Sequence, residues 1–108
     1  MSVYTKRFVA NNNVGAWQEL VAVPAGETWI VRDVELVNGG TTVAAQMQLS
    51  LQGSGGSSIW LSALTVPIQG HVQWEGRVAL NPGDQIWGTS SAGQGNLTIT
   101  GYTFPATP

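Results

Sequence analysis

Ala45-Gln46-Met47-Gln48-Leu49-Ser50-Leu51-Gln52 alternates without a break, with Ala, Met, Leu and Leu on one side and Gln, Gln, Ser and Gln on the other. Successive side chains of an extended chain point to opposite faces, so the stretch reads as an antiparallel strand with one face buried and one wet. Val72-Gln73-Trp74-Glu75-Gly76-Arg77-Val78-Ala79-Leu80 repeats the pattern, with Val72, Trp74, Val78 and Leu80 inward. Helical spacing is missing. No run of about eleven residues keeps apolar positions at i, i+3, i+4 and i+7, and Gly or Pro interrupts most windows long enough to try.

Turn chemistry divides the rest. Asn11-Asn12-Asn13-Val14-Gly15 separates Tyr4–Val9 from Trp17–Val23, and Pro24-Ala25-Gly26-Glu27 separates that run from Thr28–Val37. Asn38-Gly39-Gly40 leads to the Ala45 strand, and Gly53-Ser54-Gly55-Gly56-Ser57-Ser58 follows it. Ile59–Ile68, a Gln69-Gly70 break, Val72–Leu80, the Asn81-Pro82-Gly83-Asp84 turn, Gln85–Thr89, a Ser90–Gly95 loop and Asn96–Phe104 complete the chain. Proline presets φ and glycine accepts positive φ, so these clusters stop strands for mechanical reasons. Eight or nine strands at spacings of roughly 8–12 residues predict an all-β fold. The expected architecture is one antiparallel β-sandwich domain over residues 1–108, jelly-roll-like, with residues 1–10 either a docking arm or an edge strand.

Two segments echo one another: Val23-Pro24-Ala25-Gly26-Glu27-Thr28-Trp29 and Leu80-Asn81-Pro82-Gly83-Asp84-Gln85-Ile86-Trp87. They could occupy equivalent corners of paired Greek keys. The simpler explanation, a good turn used twice, is slightly favoured.

Composition narrows the function. Of 108 residues only four are Lys or Arg and six Asp or Glu, so 9% are charged, against roughly 25% in ordinary soluble domains. With 43% hydrophobic residues the chain is no disordered polar tract. The net charge of −2 lacks the clustered cations of a nucleic-acid binder. No apolar window approaches the ~18 residues of a spanning helix, and Met1–Arg7 has no apolar signal-peptide core, so neither membrane insertion nor secretion is expected. The absence of cysteine removes disulfides, thiolate metal sites and thiol nucleophiles, and suits a reducing cytoplasm.

Catalytic constellations fail for want of residues. His71 is the single histidine, too few for a multi-histidine metal site, and opening a strand it reads as a solvated edge residue. Glycine-rich Gly53–Gly56 and Gly93–Gly95 lack the following helix of a phosphate cradle. Of the six acids, Glu27 and Asp84 sit in turns and Glu75 lies outward beside Arg77. Asp33 and Glu35 share a face with Trp29 and Val31, where they would meet Arg32 or Arg77 rather than flank a sugar bond. No enzyme activity, cofactor or metal is expected.

The aromatic residues are Trp17, Trp29, Trp60, Trp74, Trp87, Tyr4, Tyr102, Phe8 and Phe104. Exposed indoles stack on sugar faces, which suits a carbohydrate-binding module; buried ones fill cores and subunit interfaces. Trp74 belongs to the apolar face of its strand, whereas Trp60 and Trp87 follow turns and fit a rim or interface. Asn96-Leu97-Thr98 fits a glycosylation acceptor but lacks a secretory context.

Longer stretches carry a family likeness. Tyr4-Thr5-Lys6-Arg7-Phe8 followed by Val23-Pro24-Ala25-Gly26-Glu27-Thr28-Trp29-Ile30-Val31-Arg32-Asp33-Val34, then the Asn-bearing Val37-Asn38-Gly39-Gly40, resembles the openings of small β-rich virion proteins of tailed bacteriophages. Trp74-Glu75-Gly76-Arg77-Val78-Ala79-Leu80-Asn81-Pro82-Gly83-Asp84-Gln85-Ile86, with Ser90–Gly93 and Leu97–Tyr102, is similar to the W-x-G-R-x-x-L-x-P-G-D endings of their decoration, neck and minor tail subunits. The resemblance covers most of the chain, although Pro-Gly-Asp turns recur in many jelly rolls.

It implies a structural part of the virion, assembled in the host cytoplasm. The first expectation is a capsid decoration (cement) protein binding major capsid or tail proteins; alternatives are a minor tail or neck protein, or a β-sandwich recognising host glycans. Such subunits form symmetric oligomers, and a homo-oligomer, first of all a trimer, is expected here. Interface or ligand candidates are Tyr4, Lys6, Arg7, Phe8, Trp17, Trp60 and Trp87. Low charge agrees independently, because neutral polar faces can be covered without burying unpaired ions.

Overall fold

The computed structural model describes residues 5–14, 16–53, 56–90 and 95–105. They form eight antiparallel strands: β1 (Thr5–Val14), β2 (Gln18–Ala22), β3 (Glu27–Asn38), β4 (Ala45–Gly53), β5 (Gly56–Val66), β6 (His71–Leu80), β7 (Gln85–Ser90) and β8 (Gly95–Pro105). One sheet has the order β1-β8-β3-β6 and the other β2-β7-β4-β5. The pairing has a simple logic. β1 pairs with β8, β2 with β7, β3 with β6 and β4 with β5, which is one long two-stranded ribbon with its tip between Gly53 and Gly56. Rolling that ribbon adds the β3–β8 and β4–β7 ladders. The result is a jelly roll, two sheets with their apolar faces together.

The two echoing turns are where this ribbon passes from one sheet to the other. In each, the acid's amide donates back to the residue three earlier: Glu27 N to Pro24 O at 3.3 Å and Asp84 N to Asn81 O at 3.0 Å. Gly26 and Gly83 take φ of 84° and 89° at the third position, a conformation that L side chains resist. The turns are also bonded to each other, Val23 N to Asp84 O at 2.9 Å and Gly83 N to Val23 O at 3.0 Å. The repeat therefore marks paired corners, and the simpler reading of one turn reused is set aside.

Several boundaries move. Asn11–Asn13, expected as a turn, lie within β1, because β8 continues beside them: Asn11 stands opposite Leu97 and Val14 opposite Gly95, with an irregularity between. Gly56-Ser57-Ser58 likewise extend β5 as the direct partners of Gly53, Gln52 and Leu51. β5 stops before Pro67, which has no amide to give a ladder, and Gly70 N closes the turn on Pro67 O at 2.9 Å.

The core comprises Val31, Val34 and Leu36 of β3, Met47 and Leu49 of β4, Ile86 of β7, and Leu97 and Ile99 of β8, among others. Its β3 contribution changes parity. Trp29 and Val31 are buried, but so are Val34 and Leu36, because β3 carries a bulge between Val31 and Asp33. The expectation that Asp33 and Glu35 share a face with Trp29 and Val31 is thus corrected: the bulge turns the two acids outward. Gly101–Ile99 of β8 lies against Val31–Val34 of β3, which lies against Val78–Trp74 of β6. From β8 to β3 to β6 each strand spends one more residue on the same stretch, so successive bulges bend and twist this sheet here.

Asn38 is the buried polar pin of the fold, 0% exposed. Its Nδ2 donates to Val43 O at 2.9 Å and Val66 O at 3.3 Å, and its Oδ1 accepts from Gly40 N at 2.9 Å. It thereby ties the end of β3 to the following loop and to the end of β5. Asn38→Ala leaves those groups without a partner, at a cost of about 1–3 kcal/mol. Urea unfolding should show a lower midpoint with an unchanged slope.

Candidate functional site

Three aromatic pairs account for most of the residues singled out in the sequence. Phe8 is the first. β1 is irregular between Arg7 and Val9, which face the adjacent residues Thr100 and Ile99, so Phe8 is the extra residue of a bulge. Its ring stacks on Trp29 with centroids 4.1 Å apart and planes 9° apart. Gly101 makes room for this: a Cβ there would stand 2.9 Å from Phe8 Cε2 and collide with the Ile30 carbonyl. Trp29 Nε1 donates to Glu27 Oε1 at 3.0 Å. Half-buried, Phe8 works inside the subunit, sealing one end of the sandwich beside the corner.

Trp60 and Trp74 form the second pair, edge to face at 5.1 Å and 87°. They bridge β5 and β6, the outer strands of the two sheets on one side, and so close that seam. The Trp74 ring lies across Gly76, where a Cβ would come within 2.8 Å of Cη2. Trp60 Nε1 is buried without a hydrogen-bond partner among the described residues. Val72, Trp74 and Val78 face inward as the alternation predicts, yet are only partly buried, because among the described residues no strand pairs with β6 on its far side.

Trp17 and Trp87 make the third pair, 6.3 Å apart and tilted by 31°. Trp17 is 42% exposed. Trp87 is half-buried on the outward side of β7, opposite Ser50 of β4 and Glu19 of β2, and its Nε1 donates to Gln85 Oε1 at 2.8 Å. Gln48 and Gln52 flank this position across from Thr89 and Gln85. Ser50, expected to be wet, is buried, and its Oγ has no partner among the described residues. Of the remaining candidates, Tyr4 lies outside the described residues. Lys6 and Arg7 are placed by their backbone, opposite Gly101 and Thr100.

The strand order reveals a segregation that no linear reading exposes. Glu19 is the one charged residue on β2, β7, β4 and β5. Lys6, Arg7, Glu27, Arg32, Asp33, Glu35, Glu75 and Arg77 all fall on the other sheet. There, Asp33 and Glu75 stand directly opposite each other, an arrangement that like charges normally resist. Gln73 sits beside both: its Nε2 donates to Asp33 Oδ2 at 2.7 Å and to Glu75 Oε1 at 3.3 Å. Asp33 therefore meets an amide where an arginine was expected. A transverse row runs Arg7, Thr100, Asp33, Glu75 across the four strands.

A scan against protein-family models finds no match, and a search of curated proteins finds no relative. Solved structures do match. A chain in the acidic stable capsid of Helicobacter pylori bacteriophage KHP30 superposes with a TM-score of 0.53 at 15% identity, covering 97% of this chain and 95% of that one. This is a viral-capsid-like β fold. Chains of infectious bursal disease virus, Gt and Gx strains, give TM-scores of 0.52 and 0.50 at 8% and 9% identity, each over 94% of this chain. This chain spans about a third of the length of those two (32% and 31%).

The Phe8–Trp29 stack supports a stability test. Phe8→Ala should cost about 2–4 kcal/mol, combining lost burial with a lost aromatic pair. Gly101→Ala should reproduce that loss with Phe8 still present. Thermal unfolding measures both, and near-ultraviolet circular dichroism should show the Trp29 signal weakened in each.

Proposed function

We propose that this chain is a structural subunit of a tailed-bacteriophage virion, acting as a capsid decoration (cement) protein. It would bind major capsid proteins as a homo-oligomer, first of all a trimer, and work by covering surface rather than by chemistry. The observation that carries the reading is the match with a chain of a phage capsid over 97% of this chain and 95% of that one. The nearly uncharged outward side of β2-β7-β4-β5, where Glu19 is the one charged residue, supports it, because a partner can cover the Gln, Ser and Thr away from Glu19 without stranding a charge. A neck or minor tail position is the alternative within the same class. Quantitative mass spectrometry of purified particles should find the chain in high copy, comparable with the major capsid protein. A handful of copies would favour the neck or tail, and its absence from particles would remove the virion reading.

The exposed Trp17 beside Trp87 favours one further reading, recognition of host-surface glycans by indole stacking. Under it, host-wall sugars titrated to millimolar concentration should change the tryptophan fluorescence, and Trp17→Ala should abolish the change. A flat titration of the parent chain would dismiss it.

A further inference from the structure

We propose that two copies of this chain join through a two-fold contact centred on Gly76, with β6 of one lying antiparallel along β6 of the other. The inference rests on the self-association contained in the virion reading and assigns one of its surfaces. β6 is an outer strand of the sheet β1-β8-β3-β6, and among the described residues no strand pairs with its far side. One row of its backbone donors and acceptors therefore has no ladder within the subunit. Cover is short as well, because Val72, Trp74 and Val78 face inward but are only partly buried.

Charge selects the register. Glu75 and Arg77 are both exposed, two residues apart on one face of β6. β3 repeats that order beside them: Asp33 stands opposite Glu75, and the exposed Arg32 falls between Asp33 and Val31, across from Gly76 and Arg77. An acidic pair thus lies next to a basic pair at this edge. Because side chains alternate, outward residues of a second β6 must stand opposite outward residues. A two-fold centred on Glu75 or on Arg77 would set that residue against itself, a like-charge contact that interfaces resist. Centred on Gly76, the two-fold sets Glu75 opposite Arg77 of the second copy and Arg77 opposite its Glu75, with Cβ atoms about 5 Å apart. The acidic pair of each copy then meets the basic pair of the other. The inward side agrees, since the same register brings Trp74 opposite Val78 and Val72 opposite Leu80. Each Trp74 ring already lies across its own Gly76, so the indoles of both copies flank the axis. Such an isologous contact needs no other partner.

Charge reversal tests the assignment by analytical ultracentrifugation, with circular dichroism confirming that each variant is folded. Single chains would pair into a dimer, and a trimer gathered through another surface would pair into a hexamer, so the parent should show an even subunit number. Glu75→Arg alone and Arg77→Glu alone each set like charges together twice, and each should weaken the pairing by about tenfold or more. Both substitutions in one chain exchange the two signs and should restore the parent's state. The two single variants, mixed in equal amounts, should pair with each other although neither pairs with itself. If the parent has an odd subunit number, if either single variant keeps the parent's state, or if the exchanged chain or the mixture stays apart, the β6 contact is wrong while self-association stands. A parent that remains monomeric at high concentration overturns both, and the copy number on particles still decides the virion reading separately.

Discussion

The hydrogen bonds between Val23 and the Asn81–Asp84 turn hold the place where the whole ribbon changes sheets. Two strands must leave one sheet together and enter the other together, and at that bend their own ladder is interrupted. Backbone groups left unpaired there would cost as much as the bonds they lose. Two glycine turns laid side by side solve this, each closing on itself and then on its neighbour. The first turn carries Glu27, which holds the Trp29 indole, and Trp29 in turn supports Phe8. The corner thus orders the adjoining end of the sandwich.

Much of the fold was legible because strands write themselves in a period of two. β4 and β6 declare their faces residue by residue, and Pro-Gly turns declare their ends. Bulges leave no such mark. The extra residue near Arg32 exists only relative to β8, so the reversal that buries Val34 and exposes Asp33 depends on a neighbour some seventy positions away. Asn11–Asn13 read as a turn for a similar reason: their composition favours one, and β8 overrules it. The candidate residues divide in the same way. Trp17, named as an interface or ligand candidate, is exposed, whereas Phe8 looked available because its bulge and the missing Cβ of Gly101 were invisible. Gln73 was overlooked altogether; a polar residue between acids two positions away and across a strand gains meaning only from register.

Low charge acquires a direction once the strand order is known. The ten charges are not evenly spread: one sheet carries Glu19 alone, and the other carries eight, four on its outer strands β1 and β6 and four on the inner strand β3. Covering the first sheet would strand few ions, whereas covering the second would have to answer both signs.

The nested pairing also sets a timetable. β4 and β5 can meet as soon as both exist, since the loop between them is short and its closure inexpensive in entropy. β1 pairs with β8, so among these eight strands it waits longest for its ladder. During that wait an open strand is exposed to unwanted pairing, and Lys6 and Arg7 are the kind of residues that discourage it. An unfinished chain therefore lacks the β1–β8 ladder, and the nested order ties the closing of that side of the sheet to the completion of β8.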